Sequence, residues 1–225
     1  MTNEEMSLEK YYARRAAEYE KIFDKPERQA DLARMRKDIP ALFKGERVLE
    51  IACGTGYWTP LIAEQAESVL ATDFNEEPLA IARSKTYRTA NVRFERADAY
   101  ALPAWPEKFS ACYAGFWWSH IPLGRIDDFL RNLAARLEAG AKVAFMDNRY
   151  VEGSSTPLSR KDAEGNTYQS RRLADGSSHE VLKNFPTEQE MRLRLRRFGT
   201  DIGFSEYEYY WVATYRIMSP GRTQR

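Results

Sequence analysis

The sequence is poor in the residues that build disulfide frameworks, metal centres and membrane spans. Its 225 residues include two cysteines, Cys53 and Cys112, and two histidines, His120 and His179. Each cysteine sits in an apolar run without C-x-x-C or metal-ligand spacing, so both read as small buried hydrophobes of a reducing compartment. Two distant histidines with no supporting cysteine or paired acid make no metal site, and none is expected. No apolar stretch approaches the length that crosses a bilayer, and residues 1–20 are acidic and tyrosine-rich, unlike a signal peptide. The expectation is therefore a cytoplasmic protein with no membrane partner. An excess of one charge is missing too: 34 Lys and Arg stand against 33 Asp and Glu. Bulk electrostatics steer the chain toward neither nucleic acid nor an anionic surface.

Aromatic residues, by contrast, are plentiful. The 13 tyrosines, 11 phenylalanines and 5 tryptophans gather at Tyr11 to Tyr19, Phe116 to Trp118 and Tyr207 to Tyr215. There they can line a cleft as readily as fill a core. The chain length suits one domain with one substantial core.

Residues 7–24 carry Leu8, Tyr11, Tyr12, Ala16, Tyr19 and Phe23 at helical spacing, and Leu32, Met35, Ile39 and Leu42 continue that period up to Gly45. Strands are then predicted at 47–52, 68–72, 92–96, 109–114 and 141–146, alternating with helices over 57–67, 76–84 and 126–137. Such alternation calls for a largely parallel sheet covered on both faces. Residues 151–180 are polar and turn-rich, with Asp175-Gly176 placed to close a hairpin. Thr187 and Glu190 form a capping box for one more helix, and 207–217 reads as a closing strand.

The most informative stretch is Val48-Leu49-Glu50-Ile51-Ala52-Cys53-Gly54-Thr55-Gly56. A strand that runs into closely spaced glycines and then a helix lets a ligand approach the main chain at the sheet's carboxyl edge. The third glycine of a dinucleotide fingerprint is missing, as is the Lys-Ser/Thr of a triphosphate loop. Asp73 closes the second strand, where a carboxylate can accept the two hydroxyls of a ribose, or equally serve as a surface aspartate. Asp98-Ala99 follows the third strand, where a plain turn is one reading and a ligand contact the other. His120 follows the fourth and suits proton transfer or local packing.

VLEIACGTG, with Asp73 and Asp98-Ala99, resembles the class I S-adenosylmethionine (SAM) dependent methyltransferases, in the small-molecule branch related to the ubiquinone and menaquinone enzymes. The resemblance implies a Rossmann-like α/β fold with a seven-stranded, mostly parallel sheet of order 3-2-1-4-5-7-6, its last strand antiparallel and helices on both faces. It implies one domain over 1–225, with a helical lid at 1–44 and a substrate-side insertion at about 151–186. SAM is the cofactor it implies. Glu50, Ala52, Cys53, Gly54 and Gly56 would serve the methionine end, Asp73 and Phe74 the ribose, Asp98 and Ala99 the adenine. Phe116 and Trp117 would wall the sulfonium, and Tyr11 would join from the lid. His120, Tyr19 and Arg149 are the candidate catalytic residues, and the reaction is transfer of a methyl group to O or N of a small metabolite. No N-P-P-Y or D-P-P-Y signature of base or protein-amide methylation is present, so no nucleic-acid partner is expected. Arg149, Arg171, Arg172 and Lys183 either favour an anionic acceptor or form an ordinary solvated surface, and the aromatic clusters suit an aromatic acceptor. A carboxylate or macromolecular terminus is the alternative acceptor, and a nucleotide-dependent oxidoreductase the more distant alternative. The assembly is expected to be a monomer or homodimer.

Overall fold

The computed structural model describes residues 11–13, 15–173 and 175–218. Seven strands form the main sheet: β1 (Arg47–Ile51), β2 (Ser68–Asp73), β3 (Val92–Arg96), β4 (Phe109–Gly115), β5 (Leu137–Asn148), β9 (Gly199–Glu206) and β10 (Tyr210–Ile217). Their order is β3-β2-β1-β4-β5-β10-β9. The first five run parallel, and β10 enters antiparallel between β5 and β9. This is the expected sheet, with a separate three-stranded antiparallel sheet inserted before β9: β6 (Leu158–Lys161), β7 (Thr167–Arg172) and β8 (Ser178–Leu182).

Alternation along the central strands explains why helices cover both faces. Val48, Val69, Ala71, Ala111, Tyr113, Ala144 and Met146 enter one core, which Leu32, Met35 and Ile39 of α1 (Gln29–Ala41) and Ile62 of α2 (Thr59–Ala63) complete. Their neighbours Leu49, Leu70, Cys112, Val143 and Phe145 enter the other, against Phe129, Leu130 and Leu133 of α4 (Ile126–Arg136). Both sides of β1, β2, β4 and β5 are thus removed from water, as buried parallel strands require. Two further helices are α3 (Glu76–Ser84) and α5 (Glu188–Leu195). The Thr187 capping box forms as expected, each partner bonding the other's backbone N–H.

Several elements differ from the sequence reading: β5 begins four residues earlier than expected, β6 was not expected, and three more depart as follows. The helix expected over 7–24 begins outside the described residues, is α-helical at 11–13, and becomes a 3-10 helix over Ala16–Phe23. The three-residue repeat of a 3-10 turn keeps Ala16 and Tyr19 on one side, and both line the cleft described below. The helix expected over 57–67 shrinks to Thr59–Ala63 because the glycine turn extends through Trp58. The resemblance implies a sixth strand, but the range of β9 was not read from its own residues, since two glycines interrupt its pattern. A Cβ at Gly199 would sit 2.1 Å from the Arg216 carbonyl oxygen, and one at Gly203 2.7 Å from Thr214 Oγ1, so close strand approach excludes side chains there.

Candidate active site

Strand β1 delivers the chain to its carboxyl edge, where Ala52, Gly54 and Gly56 all take positive φ, at 53°, 57° and 74°. At Gly56 a Cβ would also meet the Ala82 side chain at 3.0 Å, so this position is closed to other residues on two grounds. The bend is fastened from β2: Asp73 Oδ2 accepts the Gly54 N–H at 2.9 Å and Oδ1 accepts the Asn75 N–H at 2.9 Å. Burial nonetheless pushes the Asp73 carboxyl above its usual range, the backbone N–H groups only partly opposing it. Asn75 occupies the N-cap position of α3 but makes no side-chain capping bond.

Beneath the bend lies Glu50, 2 % exposed. Its Oε2 has no hydrogen-bond partner, and burial, with the Asp73 charge adding to it, pushes the carboxyl up to about 8. A buried, unsatisfied carboxylate is costly unless a cationic group arrives to meet it. The Cys53 thiol is likewise pushed well up by burial, which makes it an inert neighbour of the loop.

From here a cleft of about 370 Å³ crosses the carboxyl ends of the strands. Ala52, Gly54, Asp73, Phe74, Asp98, Ala99, Phe116 and Trp117, eight of the expected cofactor residues, line it. Asp98 Oδ1 is engaged by the Tyr100 N–H at 2.8 Å, so the turn role and the cleft position coexist. Phe116 holds φ at 58°, an uncommon conformation for a bulky side chain, and its N–H is pinned to the Met146 carbonyl.

At the other end stand Tyr12, Ala16, Tyr19, His120, Tyr168 and Leu182. Tyr12 Oη lies 2.7 Å from His120 Nε2, and His120 Nδ1 lies 2.7 Å from the Leu182 carbonyl oxygen. Burial, and then the Lys183 charge, depress the imidazole well below its ordinary value. Burial raises the Tyr12 phenol to about 12 and raises Tyr19 as well. Around these rings positive charge collects. The Arg15 guanidinium sits 5.6 Å from the Tyr19 ring, and Arg171 of β7 lies against the Tyr11 and Tyr12 hydroxyls. Behind them Lys183 donates to Asp147 Oδ1 at 2.7 Å and to Ser119 Oγ at 2.6 Å, with Asp147 fully buried. Burial lowers Lys183 to about 8, while Lys183 itself helps hold Asp147 down against burial.

Three sequence expectations end elsewhere. Arg149 faces away from the cleft: its Nη1 donates to the Tyr207 carbonyl at 2.6 Å and its Nε lies 3.5 Å from Glu206. The β9–β10 turn therefore takes the guanidinium that was expected to meet substrate. Tyr11 is buried against Tyr12 and His179, and its hydroxyl accepts from Arg15, so Tyr12 replaces it on the cleft wall. Arg172 is exposed on the small sheet. Sequence reasoning also missed the Asp147–Lys183 pair, whose members come from separate elements with no local spacing signal. Among the described residues no cluster could hold a metal ion, and no helix is long and apolar enough to cross a membrane.

The residues present suit SAM. The unpartnered Glu50 Oε2 offers a partner for an ammonium, the glycine bend admits a ligand beside the backbone, and Phe116 and Trp117 supply aromatic walls for a sulfonium. Sheet order, cleft and glycine bend together are those of the Rossmann-like core found in class I SAM-dependent methyltransferases, and SAM is the cofactor that they fit. A methyltransferase-domain family model matches residues 48–140. Demethylmenaquinone methyltransferase of Staphylococcus aureus (strain MRSA252) is 33% identical over 92 residues, which is 40% of this chain and 38% of that protein. A 2-phytyl-1,4-naphtoquinone methyltransferase of Thermosynechococcus vestitus is 29% identical over 124 residues, 54% of each. The chain thus matches only about two fifths to one half of the length of these curated relatives. Among solved structures, DhpI in a SAM-HEP complex superposes with a TM-score of 0.77 at 27% identity, covering 95% of this chain and 98% of that one. The DhpI-SAH complex gives 0.74 at 28%, covering 95% and 96%.

Proposed function

We propose that the chain transfers the methyl group of SAM to an ionised oxygen of a small, anionic acceptor, leaving S-adenosylhomocysteine (SAH). The observation that carries the reading is the imbalance at the far end of the cleft. Arg15 and Arg171 press on the tyrosine wall, and Asp147 behind it is already matched by Lys183. Guanidinium charge held behind that wall raises the potential at this end of the cleft and favours an anion there. The curated relatives act on quinone precursors by name, but no uncompensated cation is needed to hold a neutral ring.

In this reading Glu50 meets the cofactor's ammonium, Asp73 its ribose, and Asp98 with Ala99 its adenine. When bound, SAM supplies a methyl already activated by the sulfonium, so the protein's work is alignment and exclusion of water. Tyr12, Tyr19 and His120 close the methyl's path, with residues 1–44 as the lid and about 151–186 as the acceptor-side insertion. An anionic oxygen displaces the sulfur in line, the electron pair of the C–S bond stays on sulfur, and no proton changes hands.

The test is label transfer from methyl-labelled SAM to paired acceptors: small carboxylates and organic phosphates against their amides and neutral esters. Label is expected only in the ionised members. Transfer to neutral alcohols or amines, with every ionised member inert, would overturn the proposal.

A further inference from the structure

His120 is the residue at this edge whose chemistry most invites a role as general base, yet both of its ring nitrogens are already engaged. Nδ1 faces the Leu182 carbonyl at 2.7 Å, an oxygen that can only accept, so the ring proton resides on Nδ1. Nε2 faces the Tyr12 hydroxyl at 2.7 Å, and a neutral ring protonated at Nδ1 must accept there. The phenol proton therefore points at His120. Tyr12 Oη is left with its lone pairs on the Arg171 and cleft sides.

The frame that holds the imidazole is unusually well built. Three consecutive residues at the end of β8 and just beyond it bond the loop that carries it. The Leu182 carbonyl takes Nδ1–H, Lys183 Nζ reaches Ser119 Oγ, and the Asn184 N–H and Nδ2 reach the Ser119 and Ile121 carbonyls at 2.8 and 3.1 Å. Asp147 Oδ2 accepts the Ser119 N–H at 2.9 Å from the other side. The ring is 4 % exposed. The charged and titratable groups facing it are Tyr12 from the N-terminal segment, Asp147 from β5, Arg171 from β7 and Lys183 after β8.

We propose that His120 is a positioning residue: its Nε2 lone pair fixes the Tyr12 hydroxyl over the cleft, and it does not take a proton from the acceptor. The inference deepens the reading above, on which its catalytic meaning rests, since an acceptor facing no base must bring its own negative oxygen. Tyr12 is then the lid residue that touches the acceptor, and the small sheet sets its position through Leu182. This also explains why the insertion is stitched to the β4 loop by buried polar groups rather than by apolar contact alone. A buried network of this kind specifies one arrangement when every member is satisfied.

The chain has two histidines, so nitrogen NMR of the ¹⁵N-labelled protein resolves the question. Substitution His179→Gln leaves His120 as the single imidazole. With and without SAH, the expected result is a neutral Nδ1–H tautomer that stays unchanged across about pH 6 to 8. Titration within that window, or an Nε2–H tautomer, would overturn the proposal whether or not any acceptor has been found. A second readout uses whichever ionised acceptor takes label in the paired screen. His120→Asn is expected to lower turnover on the order of tenfold through misplacement of Tyr12, with a pH profile parallel to that of the unsubstituted protein. A profile that loses an acidic limb in the variant would make His120 the base. If no ionised acceptor takes label but the tautomer is as stated, the acceptor proposal fails and the positioning of Tyr12 stands.

Discussion

Glu50 gives the sharpest handle on how this cleft takes its cofactor. Its carboxyl is moved by burial from 4.5 to about 8. It is therefore protonated over most of the neutral range while no cation faces Oε2. A raised carboxyl pKa stabilises the folded, ligand-free chain fully below the unshifted value of 4.5, and that contribution is lost as pH rises through about 8. Binding of an ammonium reverses the preference and ionises Glu50, so uptake releases a proton. Between about pH 6 and 7 the dissociation constant should fall roughly tenfold per pH unit, with close to one proton released per molecule bound. Calorimetry in buffers of different ionisation enthalpy measures both quantities. SAH is the right titrant because it shares the amino acid end and lacks the sulfonium, which isolates the carboxylate's part. Glu50→Gln should flatten the pH dependence and abolish the proton release. A dissociation constant independent of pH, with no proton released by the unsubstituted chain, would refute the reasoning.

Other perturbations reach different parts of the structure. Lys183→Met leaves Asp147 buried and unpaired and is expected to cost about 3–5 kcal/mol in urea unfolding, whereas Lys183→Met with Asp147→Asn should recover part of that loss. Gly199→Ala drives a methyl into the Arg216 carbonyl at 2.1 Å, and should lower stability by about 3 kcal/mol through distortion of the β9–β10 pair. Asp73→Ala removes the acceptor of the Gly54 and Asn75 N–H groups. It is expected to weaken SAH binding by at least about tenfold, in keeping with the ~1–3 kcal/mol cost of an unsatisfied buried donor, as read by equilibrium dialysis.

How far the sequence anticipates this structure depends on how local each feature is. The glycine bend, the carboxylates at the ends of β2 and β3 and the strand alternation are written in contiguous residues, and their boundaries follow closely. Val92–Arg96 and Glu76–Ser84 fall where they were expected. Strand β9 was hidden because its glycines serve contact with β10, information that lies in Arg216 and Thr214 rather than in the strand itself. Tyr11 was expected at the cleft, but its ring packs against Tyr12 and His179, contacts that no spacing rule supplies, and Tyr12 lines the cleft with Tyr19 instead. Arg149 sits at the carboxyl edge as its position suggests. Its side chain nevertheless turns toward the Tyr207 carbonyl, which only the returning β9–β10 turn supplies. Lys183, by contrast, was grouped with Arg149, Arg171 and Arg172, although only 3 % of it is exposed. Its partner Asp147 lies across the intervening small sheet, beyond the reach of any spacing rule.

A crystal structure grown with SAH tests the central claim most directly. The ligand is expected across the carboxyl ends of β1 to β4, with its ammonium on Glu50, its ribose on Asp73, its adenine beside Asp98 and Ala99, and its sulfur facing Tyr12 and Tyr19. A fully occupied ligand seated elsewhere, or a well-folded chain that takes up none at saturating SAH, would contradict it.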